Sequence, residues 1–228
     1  MVMSDNVTQT GEIPTIVWPK GQEIESRGHE LIAMTQFVDG ELYHESLRSK
    51  LFEMEKDPAQ SRKYFRGACG AKVHHISEWG FPEADLLNAR ALEFYKRALK
   101  SQTAVADLTW ASIYRKGDYC MPHSHVRSTA SVLYFLDEGD EDMDDPLSGR
   151  FFFTDPRINS CCPDEEGCMT AAFQPATPPG TMIIFPSQLV HCVNPYTGDT
   201  PRITLSWNIN DKSVPGEAIP KELRAGAE

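Results

Sequence analysis

The chain has 228 residues, 40% of them hydrophobic, and a formal net charge of -11. That is enough apolar material for one compact domain without help from disulfides. The acidic balance argues against a sequence-independent hold on nucleic acid, which needs clustered lysine and arginine, and no run approaches the ~20 apolar residues of a membrane span.

Residues 1 to about 30 are polar and punctuated by Pro and Gly, with one expected strand at Thr15-Ile16-Val17-Trp18. Residues 31–103 read as a helical support. Leu47, Leu51 and Met54 share one helix face, which Asp57-Pro58 should end. A second helix follows Pro82, with Leu87, Ala91, Phe94, Tyr95 and Ala98 as its apolar stripe. His29 and His44 fall in polar, helix-like surroundings and read as surface residues, and His74-His75 has no companion at a ligand spacing. From Ala104 the pattern changes to short strands with turn signals, including Trp110 to Tyr114, Ser131 to Leu136 and Phe151 to Phe153. The acidic run Asp137 to Asp145 reads as a solvated loop, and Asp155-Pro156-Arg157 as a strand end and turn. Thr181 to Val193 reads as two strands broken at Pro186, with His191 on the second, and residues 212–228 as a polar tail. The helix stripes need a partner, and the outer face of the larger sheet is the natural one. The expectation is a mainly β domain: a double-stranded β-helix, or jelly roll, over residues 104–211, cupin-like and supported by packed helices.

Six cysteines permit a disulfide framework only in an oxidising compartment. Met1 to Asn6 has neither a basic start nor an apolar run of signal length, so the expected location is cytoplasmic and the thiols reduced. Cys161, Cys162 and Cys168 sit in loop composition and fit no zinc spacing. Cys120 and Cys192 neighbour more informative residues, and packing is their simpler role.

Those residues are His123, His125, His191 and Arg202. Side chains at i and i+2 of a strand return to the same face, so His123 and His125 can grip one ion together, with His191 as a third imidazole from elsewhere in the fold. Imidazole suits iron, copper, nickel and zinc alike. Arg202 opens a run in which Arg202, Thr204 and Ser206 share one face and Ile203, Leu205 and Trp207 the other. An inward arginine is costly unless it holds an anion, and its planar fork suits a carboxylate, with Thr204 adding a hydroxyl. A dicarboxylic acid chelating iron at a keto end and reaching Arg202 at the other satisfies both features.

From about Trp110 to Asn210 the sequence resembles the iron(II)- and 2-oxoglutarate-dependent oxygenases, and within them a prokaryotic and phage group with His-x-His followed by a distant His. The resemblance rests on His123-Ser124-His125, Ser131 to Leu136, Gly149 through Asp155-Pro156-Arg157, Pro179-Gly180-Thr181 to Ser187, His191, and Pro195 to Asp199 leading to Arg202-Ile203-Thr204. It implies Fe(II) on His123, His125 and His191, with 2-oxoglutarate anchored by Arg202 and Thr204. It further implies oxidation by molecular oxygen, most often a hydroxylation, with release of succinate and carbon dioxide. The substrate is a small molecule or a side chain, with Arg157, Arg127, Tyr134 and the loop around Cys161 as candidate contacts, and a homodimer is a common assembly for such domains. One departure stands out: the superfamily's usual pattern is His-x-Asp, and this chain has His125 at the carboxylate position, so a bound ferrous ion keeps one more positive charge. The alternative is a three-histidine cupin-type oxidase or a non-enzymatic cupin-like binding module. Gly117, five residues, His123-x-His125 and Gly180, five residues, Pro186 with His191 are similar to the two cupin motifs. Against it, Thr129 and Ala130 stand where the cupin pattern places a glutamate, and that pattern has no role for Arg202.

Overall fold

The computed structural model describes residues 13, 16–27, 32–140, 144–155 and 173–212. In chain order the elements are β1 (Glu25–Arg27), β2 (Ile32–Gln36), α1 (His44–Glu55), β3 (Ser61–Tyr64), β4 (Gly70–His74), α2 (Pro82–Leu99), β5 (Val105–Tyr114), β6 (Cys120–His123), β7 (Ala130–Asp137), β8 (Phe151–Phe153), β9 (Thr181–Pro186), β10 (His191–Val193) and β11 (Arg202–Asn210). Eight strands form one antiparallel sheet in the order β1-β2-β9-β7-β11-β5-β4-β3, and β6-β10-β8 form a second. This is the jelly-roll architecture that the short-strand pattern predicts.

Period-two alternation decides what each face of the large sheet covers. On its outer side Val132, Leu136, Ile184, Ile203, Leu205 and Trp207 pack with Leu47 and Leu51 of α1 and Leu87, Phe94 and Tyr95 of α2 into one core. On its inner side Phe135, Ile183 and Phe185 meet Phe151, Phe153 and Leu189 in a second core. α2 starts with Pro at its first position and carries Glu83 and Asp85 in its first turn, Lys96 and Arg97 in its last, the polarity that complements the helix dipole.

Three expectations need correction. Val17 and Trp18 form a bend rather than a strand, and Trp18 packs edge-on against Phe37, with ring centres 5.6 Å apart. The segment 31–103 is not purely helical: β2, β3 and β4 within it extend the large sheet at both ends. These strands have four or five residues each, too few for alternation to stand out beside two strong helical stripes. His44 is not a surface residue. Its Nε2 lies 2.6 Å from the Tyr134 hydroxyl, which also meets the Tyr43 hydroxyl at 2.8 Å. Arg90 donates to Tyr43 at 3.0 Å and pairs with Asp39, so a connected polar network fills the seam between helices and sheet.

Burial is the main cause that pushes the His44 ring down to about 4, with Arg48 adding to it. A free imidazole protonates near 6.5, so between there and about 4 the unfolded chain binds the extra proton and stability falls as pH drops. His44→Gln should flatten the loss of stability between about pH 6.5 and pH 4 by up to ~1.4 kcal/mol per pH unit, measured by urea denaturation. Phe94→Ala, which empties the helix–sheet core, should cost ~3–5 kcal/mol in the same assay at neutral pH.

Candidate metal centre

β6 and β10 pair antiparallel with His191 directly opposite His123. Cross-strand neighbours on one face stand close enough for their side chains to touch, and the two rings lie 4.4 Å apart centre to centre. His125 follows β6 in a loop, where its backbone N–H donates to the Ser187 carbonyl at 2.7 Å. That anchor turns its ring back toward the other two, with centres 5.0 Å from His123 and 5.3 Å from His191. One nitrogen from each ring falls within 4.8 Å of the others, and among the described residues no other group of histidine, cysteine and carboxylate side chains gathers this way.

The ring nitrogens are not equivalent. His123 Nδ1 donates to the Met121 carbonyl at 2.9 Å and His191 Nδ1 to the Leu189 carbonyl at 2.8 Å. A proton fixed on Nδ1 leaves Nε2 with its lone pair free for a metal. The rings are also held neutral: burial, with His123 beside it, pushes His191 down to about 3, and burial pushes His125 to about 4 and lowers His123. Phe185 and Phe151 flank His191, with ring centres 4.8 and 5.8 Å away, and give the site a dry wall.

Arg202 begins the neighbouring wall of the same cavity. Only 4% of it is exposed, and its guanidinium lies 5.3 Å from the Tyr114 ring centre and 5.8 Å from that of Phe135. Its Nη1 is buried with no hydrogen-bond partner among the described residues. Gly149, at φ +61°, makes room: a Cβ there would sit 3.0 Å from Arg202 Cδ and 2.9 Å from the Tyr196 ring. Thr204 lines the cavity two residues on, with Ser206 and Asn208 beyond it. A buried guanidinium with its Nη1 unsatisfied, beside three imidazoles whose protonation burial disfavours, fits a metal and a carboxylate-bearing chelate together.

The remaining candidates separate. Tyr134 does not reach the cavity: it belongs to the parity of Val132 and Leu136, faces the helices, and spends its hydroxyl on Tyr43 and His44. As a substrate contact it is therefore corrected to a structural residue. Arg157 and Cys161 lie outside the described residues. Arg127 points along the surface, 3.8 Å from Asp107. The Asp155 carboxylate accepts the Val190 N–H at 3.2 Å and so secures the turn before His191. Cys120 lines the cavity, its Sγ 3.5 Å from His123 Nδ1, whereas Cys192 Sγ lies 3.8 Å from the Phe152 carbonyl. Lys72 and Trp110 also line the cavity, and sequence reasoning singled out neither. The usable signal was the alternation of Trp110, Ser112 and Tyr114 along β5, in register with Lys72 of β4 at Ser112.

Residues 108–208 match the protein family described as "Putative 2OG-Fe(II) oxygenase". The matched segment, a little under half of the chain, is similar to an oxygenase domain of that family. Solved structures share the fold of the matched segment and of the strands and helices around it. AviO1 from Streptomyces viridochromogenes Tue57 is 14% identical with a TM-score of 0.58, over 83% of this chain and 93% of that one. EctD from S. alaskensis is 15% identical with a TM-score of 0.59, over 79% of this chain and 73% of that one. It has also been solved with bound Fe, and with 2-oxoglutarate and 5-hydroxyectoine. A Pseudomonas putida prolyl-4-hydroxylase is 15% identical with a TM-score of 0.52, over 81% of this chain and 95% of that one. No curated protein matches the chain. The oxygenase family is one of oxidoreductases that use iron and 2-oxoglutarate. No helix among the described residues is long and apolar enough to cross a membrane.

The geometry makes a direct prediction for the three histidines. His123→Ala, His125→Ala and His191→Ala should each weaken Fe(II) binding by at least ~10-fold in anaerobic calorimetric titration, since loss of a mere supporting partner already costs that much. A His125→Ala protein that binds iron as tightly as the parent would remove His125 from the ligand set.

Proposed function

We propose that this protein is an Fe(II)- and 2-oxoglutarate-dependent dioxygenase that hydroxylates a small-molecule or side-chain substrate, with His123, His125 and His191 as the iron ligands. The observation that carries the proposal is the buried Arg202 guanidinium, whose Nη1 has no partner among the described residues, in the same cavity as the three imidazoles. The binding of Fe and of 2-oxoglutarate by EctD, which shares the fold, supports the choice of metal and co-substrate.

Arg202 pairs with the far carboxylate of 2-oxoglutarate, and Thr204 adds a hydroxyl beside it. The hydrogen bonds at Nδ1 leave Nε2 of His123 and His191 as the atoms that would meet the metal, and burial, which disfavours protonation of all three rings, would favour metal binding near neutral pH. When bound, iron would activate molecular oxygen, the oxidant, while 2-oxoglutarate would give up two electrons and leave as succinate and carbon dioxide; one oxygen atom would go to the substrate and the other to succinate. Phe151 and Phe185 pack against the His191 ring and would limit the access of water to it. No separate acid or base is required. The described cysteines Cys69, Cys120 and Cys192 are free thiols, which suits a reducing cytoplasmic setting. The three-imidazole set also suits a cupin-type oxidase, but that reading gives the buried Arg202 Nη1 no hydrogen-bond acceptor.

Under anaerobic conditions, Fe(II) followed by 2-oxoglutarate should produce a visible metal-to-ligand charge-transfer band. Arg202→Ala should still bind iron but lose ~2–5 kcal/mol of 2-oxoglutarate affinity, read from the titration of that band. A cupin-type oxidase would bind iron and give no response to 2-oxoglutarate in either protein.

A further inference from the structure

The cavity holds a second cation. Lys72 of β4 pairs in register with Ser112 of β5, which in turn pairs with Thr204 of β11, so the three form one row across the sheet and all line the cavity. Two strand spacings separate Lys72 from Thr204, about 10 Å at the backbone. A dicarboxylate held on Arg202 and Thr204 therefore does not need Lys72. The Lys72 Nζ stands 5.1 Å from the Trp110 ring centre and 5.7 Å from that of Tyr64, and the Trp110 ring lies 5.8 Å from the His125 ring.

Lys72 makes no ion pair among the described residues, and no Asp or Glu is among the described residues lining the cavity. Elsewhere a carboxylate meets the fully buried Arg90, which pairs with Asp39. Cation–π contact contributes ~0.5–2 kcal/mol, less than the several kcal/mol that an effectively desolvated ammonium costs. Burial also lowers the Lys72 pKa, the mark of a charge short of a partner. Electroneutrality sharpens the point. A ferrous ion on neutral imidazoles, with Arg202 and Lys72, carries more positive charge than the 2-oxoglutarate dianion offsets, and the excess is larger here because His125 replaces a carboxylate.

On the oxygenase reading above, we infer that Lys72 is a specificity-determining residue that binds the carboxylate of the prime substrate beside Trp110. The substrate class is thus an organic acid of small size or a segment presenting a carboxylate, rather than a neutral or cationic molecule.

Acetate, benzoate and phenylacetate, each against its neutral amide, test the assignment by calorimetric titration of the anaerobic protein saturated with Fe(II) and 2-oxoglutarate. At least one acid should bind ~10-fold or more tightly than its amide. Lys72→Met should abolish that preference and Lys72→Arg retain it, with thermal melting confirming that both variants fold. No binding of any acid, equal binding of acid and amide, or a preference that survives Lys72→Met would each overturn the inference. The charge-transfer band with 2-oxoglutarate is recorded in the same samples and reports separately on the oxygenase reading. A band without a Lys72-dependent preference defeats only the inference, and a Lys72-dependent preference without a band defeats only the reading.

Discussion

The nine residues of β11 are buried on both faces, and that constraint organises the whole molecule. One face carries Ile203, Leu205, Trp207 and Ile209 into the core shared with the helices, and the other carries Arg202, Thr204, Ser206 and Asn208 into the cavity. β5 and β7 pair along both edges, so the strand cannot slip: a shift of one residue would drive the guanidinium into the helices and the tryptophan onto the histidines. Stability and site geometry are therefore written into the same residues. The helices close the outer face, and the three-stranded sheet, through the β6–β10 pair, sets His123 against His191.

Electrostatics separates the inside of this fold from its outside. The chain is acidic overall, yet the described cavity lining offers two cations, three neutral imidazoles and no carboxylate. Surface charges of an acidic protein are screened within about 8 Å at physiological ionic strength, so they do little to cancel a charge held between two sheets. The helix–sheet seam shows the opposite arrangement. There Arg90, Asp39, Tyr43, Tyr134 and His44 satisfy one another, and the network is structural because it is complete. The contrast between a finished network and an unfinished one distinguishes these two buried polar regions.

The relation of sequence to structure differs from element to element. α1 and α2 were legible because their apolar residues recur at the helical period over three or more turns, and Pro82 and Asp57-Pro58 mark their ends. β9 was legible as an apolar run that Pro186 ends, and β11 because Arg202, Thr204 and Ser206 alternate with Ile203, Leu205 and Trp207. β2, β3 and β4 were not: a strand of four or five residues is held by its neighbours in the sheet more than by its own composition. His44 was misread for a related reason, since a polar stretch of helix says nothing about which ring its first turn will meet.

The spacing His123-x-His125, the distant His191, the polar parity of Arg202 and Thr204, and the jelly-roll pattern belong to the sequence alone, because they depend on periodicities and residue chemistry that a single segment carries. Convergence belongs to the tertiary structure. The register that sets His191 opposite His123, the glycine at 149 that admits Arg202, the turning of Tyr134 toward the helices and the arrival of Lys72 beside Trp110 all join segments far apart in the chain. No local pattern encodes such meetings. They follow from antiparallel pairing across the sheets, which fixes neighbours only once every strand has found its place.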